Sequence, residues 1–177
     1  MIRIIQMKQV PFLEAERLQR DLAGRRGRGE IPDTLLLLEH PPVITMGRRD
    51  AGGDLRVPAD TLGKLGIDLV STDRGGRLTY HGPGQLVGYF IYKLETCSIP
   101  QFVYAIEQTI IQVLRHYDLK GERSREHPGV WIGMRKIAAV GLHVERGITR
   151  HGFALNVDCN LSPYSLFYPC GIRTREV

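Results

Sequence analysis

Arg74-Gly-Gly-Arg-Leu-Thr-Tyr-His-Gly-Pro-Gly-Gln-Leu-Val-Gly88 sets two glycine-rich turns among short strand-like runs. Gly75 and Gly76 admit backbone conformations that other residues resist, and they let a ligand come close to the main chain. The tight turn His81-Gly-Pro-Gly84 presents His81 near the same place. Arg74 and Arg77 add charge, and Thr79 and Tyr80 add hydroxyls around Leu78. The stretch reads either as two ordinary hairpin turns or as a polar, cationic pocket wall floored by glycine. It is not a phosphate loop, because no spaced glycine pair is followed by Lys-Ser/Thr. It is not a dinucleotide fingerprint either: no helical pattern follows Gly84, and Pro83 sits inside the motif.

Outward from this stretch, strand and helix signals alternate. Residues 68–72, 77–80 and 85–93 read as strands separated by Gly/Pro turns. Upstream, residues 2–6, 34–39 and 42–46 are strand candidates. Residues 11–23 read as a helix with Phe12, Ala15, Leu18 and Leu22 on one side and Pro11 in its first turn. Residues 24–29, Gly-Arg-Arg-Gly-Arg-Gly, read as a loop, and 58–66 as a short helix ended by glycine. Downstream, residues 99–118 show the clearest helical spacing, through Phe102, Ile106, Ile110, Val113, Leu114 and Tyr117. Residues 129–133, 136–145 and 148–157 follow as antiparallel strands, turning at Met134-Arg135 and Arg146-Gly147. There is no repeat and no domain boundary. The expected fold is α+β (mixed α/β), one strand-rich domain with two main helices.

The chain's 177 residues suffice for one core. With no run of about 18 apolar residues and no signal-peptide pattern, neither a membrane span nor export is indicated. Three scattered cysteines, Cys97, Cys159 and Cys170, do not make a disulfide framework, which points to a reducing, cytoplasmic setting. The formal charge is +5, with arginines at 25, 26, 28, 48, 49, 74 and 77. No nucleic-acid-binding motif accompanies them, so a solvated surface or an acidic protein partner explains the excess. The six histidines show no metal-ligand spacing, and no metal or other cofactor is indicated; His81 and His151 are the two placed near the pocket.

Two further segments carry chemistry. Lys136 opens the apolar strand Lys136-Ile-Ala-Ala-Val-Gly141, where Ala138, Ala139 and Gly141 leave room for an extended apolar ligand or for a packed neighbour. His151-Gly-Phe-Ala-Leu-Asn156 repeats the pattern with Gly152 and Ala154. Cys170 sits in Tyr168-Pro-Cys-Gly-Ile172, a poor core strand but a good exposed turn. An ordinary thiol is only about 3% thiolate at pH 7. One ammonium within a few ångströms lowers the thiol pKa by about two units, enough for a thiolate majority. Lys136 is the candidate cation, and once neutral it takes a proton from an attacking amine.

These motifs together resemble the lipoyl(octanoyl) transferases: the 74–88 stretch, Lys136-Ile-Ala-Ala-Val-Gly141, His151-Gly-Phe-Ala-Leu-Asn-Val157 and Pro169-Cys-Gly-Ile172, in order along nearly the whole chain. The resemblance implies the fold of the biotin/lipoate protein ligase catalytic domain. It implies transfer of an octanoyl group from acyl carrier protein to a lysine of lipoyl domains, in 2-oxoacid dehydrogenase complexes or the glycine cleavage H protein. It gives Cys170 the acyl thioester and Lys136 the acid/base role. It makes Arg74, Gly75, Gly76, Arg77, Leu78, Thr79, Tyr80 and His81, then Ala139, Val140 and Gly141, then Gly152, Phe153 and Ala154, the acyl tunnel. Family members continue into a further helical segment after the cysteine motif. The expectation here is one catalytic domain over 1–177 with that segment short or absent. Two alternatives stay open: an ATP-dependent lipoate or biotin ligase, which needs no nucleophilic cysteine, and a non-catalytic module that binds carrier protein.

Overall fold

A computed structural model describes residues 1–49, 53–124 and 127–169. Among these residues, ten strands and three α-helices follow in the order β1 (Arg3–Gln9), α1 (Phe12–Gly27), β2 (Thr34–Glu39), β3 (Val43–Met46), α2 (Ala59–Lys64), β4 (Asp68–Ser71), β5 (Leu78–His81), β6 (Gln85–Ile91), α3 (Ile99–Arg115), β7 (Glu122–Arg123), β8 (Gly129–Ile132), β9 (Arg135–Glu145) and β10 (Ile148–Asn156). A 3-10 turn, Ser162–Leu166, follows. Seven strands form one mixed sheet in the order β1-β2-β6-β10-β9-β8-β7, and β4-β3-β5 form a second, small sheet. The α+β expectation holds; the division into two sheets is not legible in the strand pattern.

Strand alternation explains the layering. Leu36, Leu38, Val87, Tyr89, Ile91 and Ala154 point to one face of the large sheet, where they pack with Phe12, Ala15 and Leu22 of α1. Val130, Ala138 and Leu155 point to the other, against Phe102, Ile106, Ile110, Ile111 and Leu114 of α3. In β2, Thr-Leu-Leu-Leu-Leu-Glu, buried residues alternate with half-buried ones, so neither face is fully exposed and the strand carries leucine on both. A third core, with Ile44, Leu62, Leu78, Tyr80 and Phe167, closes the small sheet. Helix α3 starts with a capping box, Ser98 and Gln101 satisfying each other's backbone N–H. Among the described residues no helix is long and apolar enough to cross a membrane.

Two local expectations are corrected. Residues 24–27 read as loop but continue α1, whose helix ends at Gly27. Arg25 and Arg26 sit where the helix dipole favours cations, and Arg26 Nε bonds Asp33 Oδ1 at 2.7 Å. These gains offset about 1 kcal/mol lost per helical glycine. The β8–β9 turn falls on Gly133-Met134 rather than Met134-Arg135, because Ile132 pairs with Arg135 and Gly133 takes a φ of 59°. The β9–β10 turn lies at Arg146-Gly147 as expected, both with positive φ, as a two-residue hairpin requires.

Candidate active site

The large sheet places the small residues side by side. Gly152 pairs with Gly141, Phe153 with Val140 and Ala154 with Ala139. Gly75 N donates to Leu142 O at 2.9 Å, so the 74–76 loop lies across β9. Between them is a cleft with about 490 Å³ of empty space, counting its open mouth. Its walls are residues 74–76, 79 and 81, residues 139–141, residues 151–154, and Phe12 and Tyr89. Thus Arg74, Gly75, Gly76, Thr79, His81, Ala139, Val140, Gly141, Gly152, Phe153 and Ala154 come together at one place. Arg77, Leu78 and Tyr80 are not among its lining residues. Leu78 and Tyr80 are buried in the third core, and Arg77 reaches Asp54 at 3.3 Å.

The glycines do local work that the sequence alone does not separate from ligand space. A Cβ on Gly152 would stand 2.2 Å from Gly88 O, and one on Gly141 would stand 3.0 Å from Gly75 O. The guanidinium of Arg74 turns inward. It donates to Thr45 O at 2.6 Å, Thr45 Oγ1 at 2.8 Å and Arg77 O at 2.7 Å, stapling the loop to β3.

Sequence reasoning does not single out Phe12 or Tyr89 as site residues. Neither carries a local signal, since each looks like ordinary core on its own element. With His40, His81 and His151 they form a connected ring cluster. Phe12 lies 5.3 Å from His40 and 6.3 Å from His81; Tyr89 lies 5.8 Å from His40 and 6.0 Å from His151. The hydrogen bonds fix the tautomers. Val10 O can only accept, so His40 Nδ1–H donates to it at 2.6 Å, and His40 Nε2 accepts from the Tyr89 hydroxyl at 2.6 Å. Gln85 Nε2 donates to Tyr80 O and Asn156 Oδ1, which turns Gln85 Oε1 towards His81 Nδ1–H at 2.7 Å.

His151 is a non-glycine residue with φ 60°. Its N–H donates to Gln19 Oε1 at 2.7 Å, and its Nε2 lies 2.8 Å from Asp73 Oδ1. Asp73 also takes a 2.6 Å bond from Arg150 Nη2. The hydrogen bond from His151, with Arg150 next, holds Asp73 well below the usual carboxylate range. Glu16, Asp73 and His151 offer three potential metal ligands within 4.8 Å of one another, but the arginines on Asp73 oppose a cation there.

Burial pushes all three imidazoles down: His40 to about 4, His81 well below its ordinary value, and His151 lower despite the opposing pull of Asp73. A histidine lowered on folding contributes stability that is full above about pH 6.5 and is lost as pH falls towards its folded value. The urea midpoint is therefore expected to drop steeply as pH falls from 7 to 5, as protons bind the unfolded chain's histidines. A midpoint constant across that range would contradict neutral burial of the three rings.

Lys136 heads β9, 5% exposed. Its Nζ donates to Pro128 O at 3.1 Å and lies 4.9 Å from the centroid of the Trp131 ring. It lines a second, more open cleft with Ile132, Ile137, Asn156, Cys159 and Leu161. That cleft follows the same strands, one step along from Ala139 and Ala154. Cys170 lies outside the described residues. Cys159 shares a wall with Lys136, yet burial pushes its thiol pKa up, so it is a poor nucleophile.

With this geometry in place, similarity to known proteins is informative. Residues 11–177 match the family described as the lipoyl protein ligase A/B catalytic domain. The octanoyltransferase of Dictyoglomus thermophilum is 43% identical over 170 residues, spanning 96% of this chain and 72% of that protein. That of Rubrobacter xylanophilus is 48% identical over 166 residues, 92% of this chain and 75% of its own. Among solved structures, a lipoate-protein ligase A bound with ATP superposes with a TM-score of 0.73 at 16% identity, covering 99% of this chain and 74% of that one. LipL1 of P. falciparum in complex with lipoate gives 0.77 at 11% identity, covering all of this chain and 55% of that one. At such identities the structures speak for the fold alone. The sequence relatives speak for more, and the chain belongs to the lipoyl protein ligase A/B catalytic-domain family, within its octanoyltransferases.

Proposed function

We propose that this acyltransferase carries an octanoyl group from the thioester of an acyl carrier protein to Cys170, and from Cys170 to a lysine amine of a lipoyl domain. The recipients are the lipoyl domains of 2-oxoacid dehydrogenase complexes and the glycine cleavage H protein, and the setting is the cytoplasm. The observation that carries the reading is the placement of a buried lysine, Lys136, on the strand whose residues 139–141 wall the narrow cleft.

In the first half-reaction the Cys170 thiolate attacks the carrier thioester carbonyl. The bond to the carrier sulfur breaks, the Lys136 ammonium gives that sulfur its proton, and the carrier leaves as a thiol with Lys136 left neutral. In the second, the amine attacks the Cys170 thioester, Lys136 accepts its proton, and the cysteine sulfur departs as thiolate. The methylene chain lies against Gly141, Gly152, Ala139 and Ala154, where it loses contact with water. The basic surface steers acidic carriers towards the site.

Incubation with octanoyl-acyl carrier protein, read by intact mass, tests this. A single octanoyl adduct is expected that survives Cys97→Ser and Cys159→Ser and vanishes in Cys170→Ser. An adduct that persists without Cys170 would remove the proposed nucleophile. An octanoyl adenylate formed from octanoate and ATP, with no adduct from the carrier, would indicate ligase chemistry. Neither product would indicate a binding module.

A further inference from the structure

We infer that Tyr89, held by His40, is the stop that limits the length of the acyl chain. The inference rests on the reading of the cleft as the octanoyl site. Ala139, Gly141, Gly152 and Ala154 give the cleft small walls on β9 and β10, and Tyr89 of β6, with Phe12 of α1, His81 of β5 and His151 of β10, gives it rings. Lys136 stands on β9 and Tyr89 on β6, with β10 between them. Gly141 pairs with Gly152, and Gly152 pairs with Tyr89, so Tyr89 lies level with Gly141, five residues along from Lys136. Strand rise and spacing put the two Cα atoms about 20 Å apart on a diagonal. That span is long enough for a medium-length acyl chain to run along β9 and β10 from the Lys136 end to the Tyr89 ring.

A chain stop must be rigid as well as bulky, and Tyr89 is both. It is 3% exposed. Its hydroxyl is fixed by His40 Nε2, and His40, fully buried, is fixed in turn by Val10 O. Phe12 supports His40 from α1, and His151 meets the other side of the Tyr89 ring edge-on. To move the ring, a longer chain would have to break the 2.6 Å bond to His40 and leave a buried ring nitrogen without a partner. The cluster therefore penalises additional methylenes instead of yielding to them. One methylene too many in an apolar pocket is worth about 10-fold or more in kcat/KM.

The test compares octanoyl- and dodecanoyl-carrier protein as donors. The wild-type chain is expected to favour octanoyl by at least about 10-fold. In Tyr89→Leu the dodecanoyl/octanoyl ratio of kcat/KM is expected to rise at least about 10-fold, whereas Tyr89→Phe, which keeps the ring, shifts it less. A Tyr89→Leu ratio equal to wild type, with an octanoyl adduct still forming, would overturn the inference and leave the transferase reading intact. A second measurement needs no variant: an octanoyl donor with a photoreactive ω-end is cross-linked in the wild-type protein. The label is expected in the peptide containing Tyr89. A label confined to residues 132–137 would overturn the inference. Absence of any adduct would instead overturn the transferase reading beneath it.

Discussion

Lys136→Ala is expected to slow octanoyl transfer by about 10³-fold, within the range for removal of a positioned acid/base group. Two effects add. The thiol loses the ammonium that favours its thiolate, and the attacking amine loses its proton acceptor. Lys136→Arg should rescue little, because guanidinium keeps the charge but gives up no proton. Single-turnover rates separate the effects: acylation reports the first, and transfer from a preformed acyl-enzyme reports the second. Because Lys136 is 5% exposed and bonds Pro128 O at 3.1 Å, the rates are read at a temperature where thermal unfolding shows the variant folded. A rate within tenfold of wild type in both half-reactions would remove Lys136 from the chemistry.

Gly152→Ala is expected to damage the fold itself. The added carbon would stand 2.2 Å from Gly88 O, a backbone atom of the neighbouring strand, and 3.1 Å from Phe90 Cδ2. Neither β6 nor β10 can yield, since they are paired from Gly152–Tyr89 to Asn156–Gln85 at the centre of the sheet. Overpacking of this kind costs about 3 kcal/mol, which lowers Tm by about 6–12 °C in a domain of this size. Gly27→Ala provides the contrast: nothing lies within 4 Å of its added carbon, and a helical glycine gains from the change. Thermal unfolding of the two variants checks the difference. An unchanged Tm in Gly152→Ala would mean that the strands separate there without cost.

Much of the fold and of the cleft is legible in the residue pattern. Helix α3 announces itself through Phe102, Ile106, Ile110 and Leu114, all of which are buried on one face. Small residues at 139, 141, 152 and 154 point to a shared channel because alternation puts i and i+2 on one face of a strand. Hairpin register then makes them neighbours. What is not legible depends on contacts between distant segments. Tyr89 and Phe12 reach the cleft only because β6 and α1 converge on it, and no local pattern separates such a ring from core. Arg74 reads as pocket charge, yet Thr45, 29 residues away, turns it inward. Glycine is ambiguous for a related reason. The same missing side chain leaves room for a ligand at one position and for a backbone oxygen at another, as Gly152 and Gly88 illustrate.

An ammonium that governs a thiolate is the claim on which the mechanism stands. The rate of Cys170 alkylation by iodoacetamide against pH measures it directly, in a Cys97→Ser/Cys159→Ser background with and without Lys136→Met. With Lys136 present, the thiol is expected to titrate about two units below the ordinary value near 8.5, and with methionine it is expected to return there. Superimposable profiles for the two proteins would contradict the pairing and leave Cys170 without an activating cation.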